Sequence, residues 1–575
     1  MLKKAVVGVG VLVVLCSHVG AAGATSERIM PGVTYLREAR SIGGARVLFH
    51  VVVGPKPGGL YTLRPVLSGN LVTGLETLSS MQRRMLRRAN VVGVNGDLFT
   101  SPYGYPNSLY IKRGVLAVTP SRGRSSLGIS PDGKLEVGKI GFTGTFQIAG
   151  GRIRSLRDFN RPIAGTDGFT LFAPSWGSHT PYRSNTREAI LADVGRTLAN
   201  RDRSARIVKV VRGSGHAIPR GGAILQARGT KRALLRADLA LGNALSFRLD
   251  LPNWWDGVAD GIGGGPELVR AGLPVYNPDE WFSSYQLYER HPRSAVGQTA
   301  DGRIILLTAD GRSRASAGLT TNQLAKAMAH YGAVTAMAFD GGGSAEMAFN
   351  GHVLNTPSDG HERPLSDSFQ LVYIGAYAPH PRYPVFSPNG DGYHDVQRLY
   401  AKFVRKSDAR LSLLGPDGRE RVVYKGPLDP GTTTRDMRRR TLPEGVWRWV
   451  VAGTDLQGRA SRMVRRFRVN NTLGFLTLST RRMTVRRRVG GHLRIGFRLA
   501  QSADVVVQIR RRSGGLVRRL VSRRGVAPGA YAVIWNGRND DGSFVRSGGY
   551  FATVLAHNGL GDVSLRKGFR VRRLA

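Results

Sequence analysis

Cysteine is almost missing from this chain: Cys16 is the single one in 575 residues. One thiol cannot close an intramolecular disulfide, and cleavage after Ala24 would remove it, so the exported protein is expected to rely on neither disulfides nor thiolate metal sites. Long apolar runs are also missing. Residues 5–16 fall short of the roughly 20 needed to span a bilayer, and no later stretch approaches that length, which predicts a soluble mature chain with no transmembrane segment. Acidic residues are scarce, 39 Asp and Glu against 84 Lys and Arg, for a formal net charge of +45. No His-x-x-x-His pair or Cys cluster suggests catalytic zinc, and no Gly-x-x-x-x-Gly-Lys-Ser/Thr run suggests a nucleotide-hydrolysing P-loop, so neither metal nor cofactor is expected.

What is present begins at the N-terminus. Lys3-Lys4, the apolar residues 5–16 and Ala22-Gly23-Ala24 match the three parts of a secretory signal over residues 1–24, and predict a secreted or envelope-associated protein. Leu15 is large for the position before a lipidated cysteine and argues against a lipoprotein. The positive charge is concentrated at the other end, where residues 401–575 hold 38 Lys and Arg against 11 Asp and Glu. Such a surface attracts polyanions. Export favours an anionic cell-wall polymer as partner over nucleic acid. The competing explanation is compositional, since Arg far outnumbers Lys, as a coding bias would produce.

The length predicts roughly three to four domains of about 150 residues. Residues 45–53, 89–94 and 304–308 read as strands by their β-branched content, and residues 75–88 as an amphipathic helix with apolar positions 75, 78, 81, 85 and 86. Thr320-Thr-Asn-Gln323 has the spacing of a capping box opening a second helix. Strand, helix, strand in that order predicts an α+β front domain over residues 25–378. Pro379, Pro381 and Pro384 then mark a linker, and short alternating strands follow. An internal echo between residues 443–470 and 547–572 predicts two all-β, Ig-like sandwich modules, 383–470 and 471–575. Asn389, Asp391 and Asp395 lack the full ligand series of a Ca²⁺ loop and read as a turn.

The stretch that organises the front domain is residues 336–350. An apolar run ends in Asp340, three glycines and Ser344 follow, and a second apolar run leads to an Asn350-Gly351 turn. Consecutive glycines carry a backbone-entropy cost and persist where positive φ or close approach is required, here beside a carboxylate and a hydroxyl. Other polar clusters sit at strand ends: Asn95 and Asp97, His291 and Arg293, Asp310, and His361-Glu362-Arg363-Pro364. Arg293 and Arg363 offer the planar fork that grips phosphate or carboxylate, and the amides of Gly341, Gly342 and Gly343 could complete an anion pocket.

These motifs resemble the phosphodiester glycosidase family: Val-Asn-Gly-Asp-Leu-Phe (94–99), His-Pro-Arg-Ser-Ala-Val-Gly (291–297), Ala-Asp-Gly-Arg (309–312), Gly-Leu-Thr (318–320), Asp-Gly-Gly-Gly-Ser (340–344) and Glu-Arg-Pro (362–364). The chain departs from it at Ser294, where Thr is usual, and at Ala345-Glu346, where the family has Thr pairs. The resemblance implies hydrolysis of a sugar-1-phosphodiester, with a phosphodiester-linked glycan of the envelope or extracellular matrix as substrate. On it, Asp340 acts as nucleophile or general base with Asp97 its rival, and Arg293 and Arg363 hold the phosphate. Asn95 and Ser344 orient the substrate, with His291, Asp310 and the glycine amides around it. The alternative is a non-catalytic glycan-binding or envelope-structural protein using the same pocket, and a third reading is an adhesin dominated by its tail. Trp535-Asn-Gly-Arg-Asn-Asp-Asp-Gly with Gly548-Gly549-Tyr550 is similar to the Ig-like module of flagellar hook-capping proteins, which predicts spacers or wall-binding modules.

Overall fold

A computed structural model describes residues 24–163, 165–236, 242–275, 279–438, 442–486 and 489–574. The secretory-signal residues up to Gly23, with Cys16, lie outside them. Two compact units emerge among the described residues, one running from 24 to 86 and from 90 to 373, the other comprising 87–89 and 374–574. No helix among the described residues is long and apolar enough to cross a membrane.

Strand accounts for 53% of the described residues and helix for 7%, so the α+β expectation for the front domain is corrected: it is predominantly β. The reason lies in pairing. Strands Ile304–Ala309 and Ala333–Ala338 do flank the capped helix Thr321–His330, but Arg293–Thr299 lies between them and pairs antiparallel with both. The helix is thus one crossover on an eight-stranded sheet that is antiparallel throughout. Its apolar face, Leu324, Ala325 and Met328, packs on Val47, Phe49, Ile305 and Leu307 from that sheet. The other helices are short. Leu78–Met85, capped by Thr77, covers less than the predicted 75–88, and Ser284–Tyr288 carries a capping box of Ser283 and Gln286.

A second, five-stranded antiparallel sheet is built from His352–Val353, Met347–Phe349, Asn90–Asn95, Asp367–Tyr373 and Tyr61–Leu67. Every residue of Asn90–Asn95 and of Asp367–Tyr373 is buried, the polar Asn90, Asn95, Asp367, Ser368 and Gln370 included. The region between residues 138 and 250 forms a further eight-stranded sheet with its own core around Phe146, Phe169, Ile207 and Leu225.

Register fixes where the site sits. Arg293 pairs with Ala309, and Ala295 with Ala338, so Arg293, Asp310 and Asp340 all leave one end of the eight-stranded sheet. Met347 pairs with Val94, and Ser368 with Asn95, so Asn95, Glu346 and Asp367 leave one end of the five-stranded sheet. Residues 339–346 carry the chain from the first sheet to the second. The two ends are clipped together there: Asp340 N–H donates to Gly96 O at 3.0 Å, and Asn95 Nδ2 to Asp340 O at 2.7 Å.

In the other unit, strands between Val385 and Val469 pair among themselves, as do those between Leu473 and Leu574. The internal echo has a structural counterpart. Gly445–Asp455 with Ala460–Val469, and Gly548–Asn558 with Gly561–Leu574, are antiparallel hairpins whose last strand also takes a parallel partner, Val385–Phe386 and Arg482–Arg486 respectively. In the 389–395 turn, both oxygens of Asp395 accept from the Gly390 and Gly392 amides, and Asp391 accepts from Phe475 N. Those carboxylates are capping backbone.

Candidate functional site

A cleft of about 260 Å³ opens where the two sheet ends meet, walled by Asp340, Gly341–Gly343, Arg293, Arg312, Arg363, His291, Tyr285 and Phe282. Among the described residues that line it the one carboxylate is Asp340, half-buried two residues past the strand Ala333–Ala338. Burial pushes the Asp340 carboxyl above its ordinary range, against the opposing pull of the Ser344 hydroxyl, the Arg363 cation and the Gly341 amide. Burial thus prevails over every group that favours its charge.

The glycines serve close approach more than anion binding. Gly342 has φ +64, and a Cβ on Gly343 would lie 2.0 Å from Arg363 Nη2. The Gly342 amide is already occupied, donating to Pro292 O at 2.9 Å. Of the three amides proposed for an anion cradle, Gly341's turns to Asp340 instead.

Arg293 is 9% exposed. Its Nε donates to Leu319 O and its Nη2 to Glu289 O, both at 2.9 Å, which fixes the guanidinium plane. Burial and the Arg312 charge lower it to about 10, still cationic at neutral pH. Arg363 is tied on one edge to Asp359 Oδ2, at 2.9 and 2.7 Å, while Nη1 reaches Ser344 Oγ at 3.4 Å. His291 accepts at Nδ1 from Arg312 Nη2 at 3.1 Å and donates from Nε2 to Tyr285 O at 3.1 Å. Burial and the Arg293 charge hold it below its ordinary value, so it is a neutral ring that orients Arg312.

The remaining sequence candidates stand behind the wall. Asn95 is fully buried and joins the sheet ends, its Oδ1 accepting from Glu346 N at 3.2 Å. Asp97 is 3% exposed, and its two oxygens accept from Leu98 N at 2.8 Å and Ser108 N at 2.6 Å. Burial pushes it up to about 7, with the Arg124 charge opposing. Its rivalry with Asp340 is thus unequal in geometry, because both its oxygens are held by backbone. Asp310 does not line the cleft. It accepts from Thr356 N at 3.1 Å and Asn355 Nδ2 at 3.3 Å, anchoring the segment that leads to Arg363, and faces His50 Nε2 at 3.3 Å, whose Nδ1 meets Tyr35 OH at 2.7 Å.

Arg312, Tyr285, Asp367 and Glu346 were not predicted as site residues. Arg312 lay inside a quoted motif, and the Ser283…Gln286 spacing was a signal for the helix that presents Tyr285. Asp367 carried no signal; its Oδ1 accepts from Asp97 N at 2.8 Å, and burial beside Asp97 pushes its carboxyl well up.

Glu346 occupies one of the positions where the sequence departs from the family pattern. Fully buried, it accepts from Arg363 N at 2.8 Å through Oε1, while Oε2 has no partner among the described residues. Burial holds its carboxyl at about 8, against an ordinary 4.5. Between those values the folded chain retains a proton that the unfolded chain has lost, so this residue makes stability fall as pH rises from about 5 to about 8. Glu346→Gln is expected to remove that slope: in thermal melts the variant should gain on the wild type progressively over the range. Parallel curves for the two proteins would contradict the assignment.

Comparison with known proteins bears on the front unit. Residues 196–372 match the model of the phosphodiester glycosidase family. The SPbeta prophage-derived uncharacterized protein YomE of Bacillus subtilis is 39% identical over 84 residues, 15% of this chain and 13% of that protein. A hypothetical protein from Synechocystis shares the fold, with TM-score 0.54 and 21% identity over 61% of this chain and 64% of its own. The catalytic domain of zebrafish N-acetylglucosamine-1-phosphodiester alpha-N-acetylglucosaminidase also aligns, with TM-score 0.32 and 14% identity over 61% of this chain and 87% of that one. This chain therefore spans about an eighth of the curated relative and just under two thirds of the Synechocystis protein. The resemblance read from the motifs is borne out for the segment that carries Arg293, Arg312, Asp340 and Arg363; Asn95 and Asp97 lie before the matched residues.

Proposed function

We propose that the front domain, which carries the phosphodiester glycosidase segment, hydrolyses sugar-1-phosphodiesters in envelope or extracellular glycans. The observation that carries this reading is that, among the described residues lining the cleft, Asp340 is the one carboxylate and faces three arginines, 293, 312 and 363. An ordinary glycosidase needs a second carboxyl to protonate an alkoxide leaving group. A departing phosphomonoester is a weak base that needs little protonation, so cations that neutralise it can stand in for the acid. In this reading Asp340 attacks the anomeric carbon or takes a proton from the attacking water. Arg293, with its plane fixed by two backbone carbonyls, and Arg312, aimed by neutral His291, receive the charge that collects on the phosphate. Arg363 and the Ser344 hydroxyl favour the ionised form of the Asp340 carboxyl against its burial.

N-acetylglucosamine is the sugar we propose to try first, because the zebrafish enzyme's name specifies it. Secretion through the residues 1–24 segment and retention on an anionic wall polymer by the basic C-terminal modules complete the proposal. The test is sugar release from methyl N-acetylglucosamine-1-phosphate by the full chain, followed by reducing-sugar assay. Turnover supports the hydrolase. Binding without cleavage, measured calorimetrically, would replace it with the recognition protein.

A further inference from the structure

The Asp340 cleft is small for the substrate class just proposed. At about 260 Å³ it falls below the roughly 300–1,000 Å³ of pockets that enclose a drug-sized ligand. One sugar ring and its phosphate fill it. A glycan carrying more units must continue elsewhere on the surface.

A second cleft of about 250 Å³ stands beside the first, lined by Trp281, Arg124, Arg161, Asn107 and Thr100. Two chain segments supply both: Phe282 and Leu98 wall the first, and Trp281 and Thr100 the second. Trp281 is 68% exposed, unusual for so large an apolar side chain. It is nonetheless firmly seated. Its backbone N–H donates to Gly123 O at 2.9 Å, its carbonyl accepts from Arg124 Nε at 3.4 Å, and a Cβ on Gly123 would stand 2.1 Å from the indole. Arg124 lies over the Phe282 ring, 4.7 Å from its centroid, and its buried Nη1 has no hydrogen-bond partner among the described residues. Its charge is felt at both Asp97 and Asp340. A buried donor left unpaired costs free energy unless something occupies it. An exposed indole beside a cation and amide and hydroxyl groups is the chemistry that stacks a sugar ring and grips its phosphate.

We infer that Trp281 and Arg124 form a second subsite for the neighbouring sugar-phosphate unit of the same chain, so that the natural substrate is a phosphate-linked glycan of at least two repeats. This rests on the hydrolase reading. The test compares kcat/KM on two probes, methyl N-acetylglucosamine-1-phosphate and a synthetic dimer of N-acetylglucosamine-1-phosphate units. The wild type should prefer the dimer by at least about tenfold. Trp281→Ala should abolish that preference and leave the methyl diester within about twofold, while Trp281→Phe should keep most of it. An unchanged preference in Trp281→Ala, or an equal loss on both probes, would overturn the subsite. If the wild type cleaves neither probe, the hydrolase reading fails separately, and dimer binding by calorimetry still decides: weaker binding by Trp281→Ala upholds the subsite, and equal binding rejects it.

Discussion

Asp340→Asn should lower turnover of a sugar-1-phosphodiester by about 1,000- to 10,000-fold while leaving the fold intact, the range for removing a positioned carboxylate from the reacting centre. The amide keeps the shape, and its oxygen still accepts from the Gly341 amide and the Ser344 hydroxyl that act on the carboxyl. What it cannot do is attack carbon or accept a proton from water. The pH profile gives an independent readout. Burial raises the Asp340 carboxyl, and the active form is the ionised one, so wild-type kcat/KM should climb with pH along a limb above the ordinary carboxylate range and then level. The residual rate of the variant should lack that limb. A variant losing less than about tenfold would move the chemistry to another group, and Asp97, pushed up to about 7 but held by two backbone amides, would be the next to replace.

The sequence showed the site's local pieces far better than their arrangement. Asp340 at a strand end, the Thr320–Gln323 capping box and the strand at 304–308 follow from composition and spacing over a few residues, and all three are found. The fold class failed because strand, helix, strand is compatible with either parallel neighbours or a crossover, and only the insertion of Arg293–Thr299 between the two strands decides. Its hairpin with Ile304–Ala309 is local, but its pairing with Ala333–Ala338 spans the helix and lies beyond the reach of any local pattern. The same limit explains Asp97 and Asp310. Each follows a strand end, as Asp340 does, but whether such a carboxylate faces a cleft or caps backbone depends on which other loop is brought to it: Ser108 N for Asp97, Thr356 N for Asp310. Tyr285 and Trp281 were unreadable for a different reason, since an exposed aromatic and a buried one look alike in text.

Arg293→Lys is the second large effect, and it separates a guanidinium plane from a mere charge. Two of the guanidinium's edges are committed, Nε to Leu319 O and Nη2 to Glu289 O, which leaves Nη1 on the side of Gly341, 3.7 Å from where a Cβ on that glycine would stand. A lysine ammonium keeps the positive charge but has no plane to fix, and its three donors radiate from one nitrogen, whereas the two carbonyls are met by separate guanidinium nitrogens, Nε and Nη2. The loss expected is about 100- to 1,000-fold in kcat, comparable to deleting one oriented donor from a site where charge develops. KM should change much less, because Arg312 and Arg363 still attract the diester in its ground state. Equal losses in kcat and in ground-state affinity would make Arg293 a simple electrostatic anchor. A loss confined to kcat would place its Nη1 on the oxygen that gains charge as the glycosidic bond breaks, which is the role its fixed plane suits.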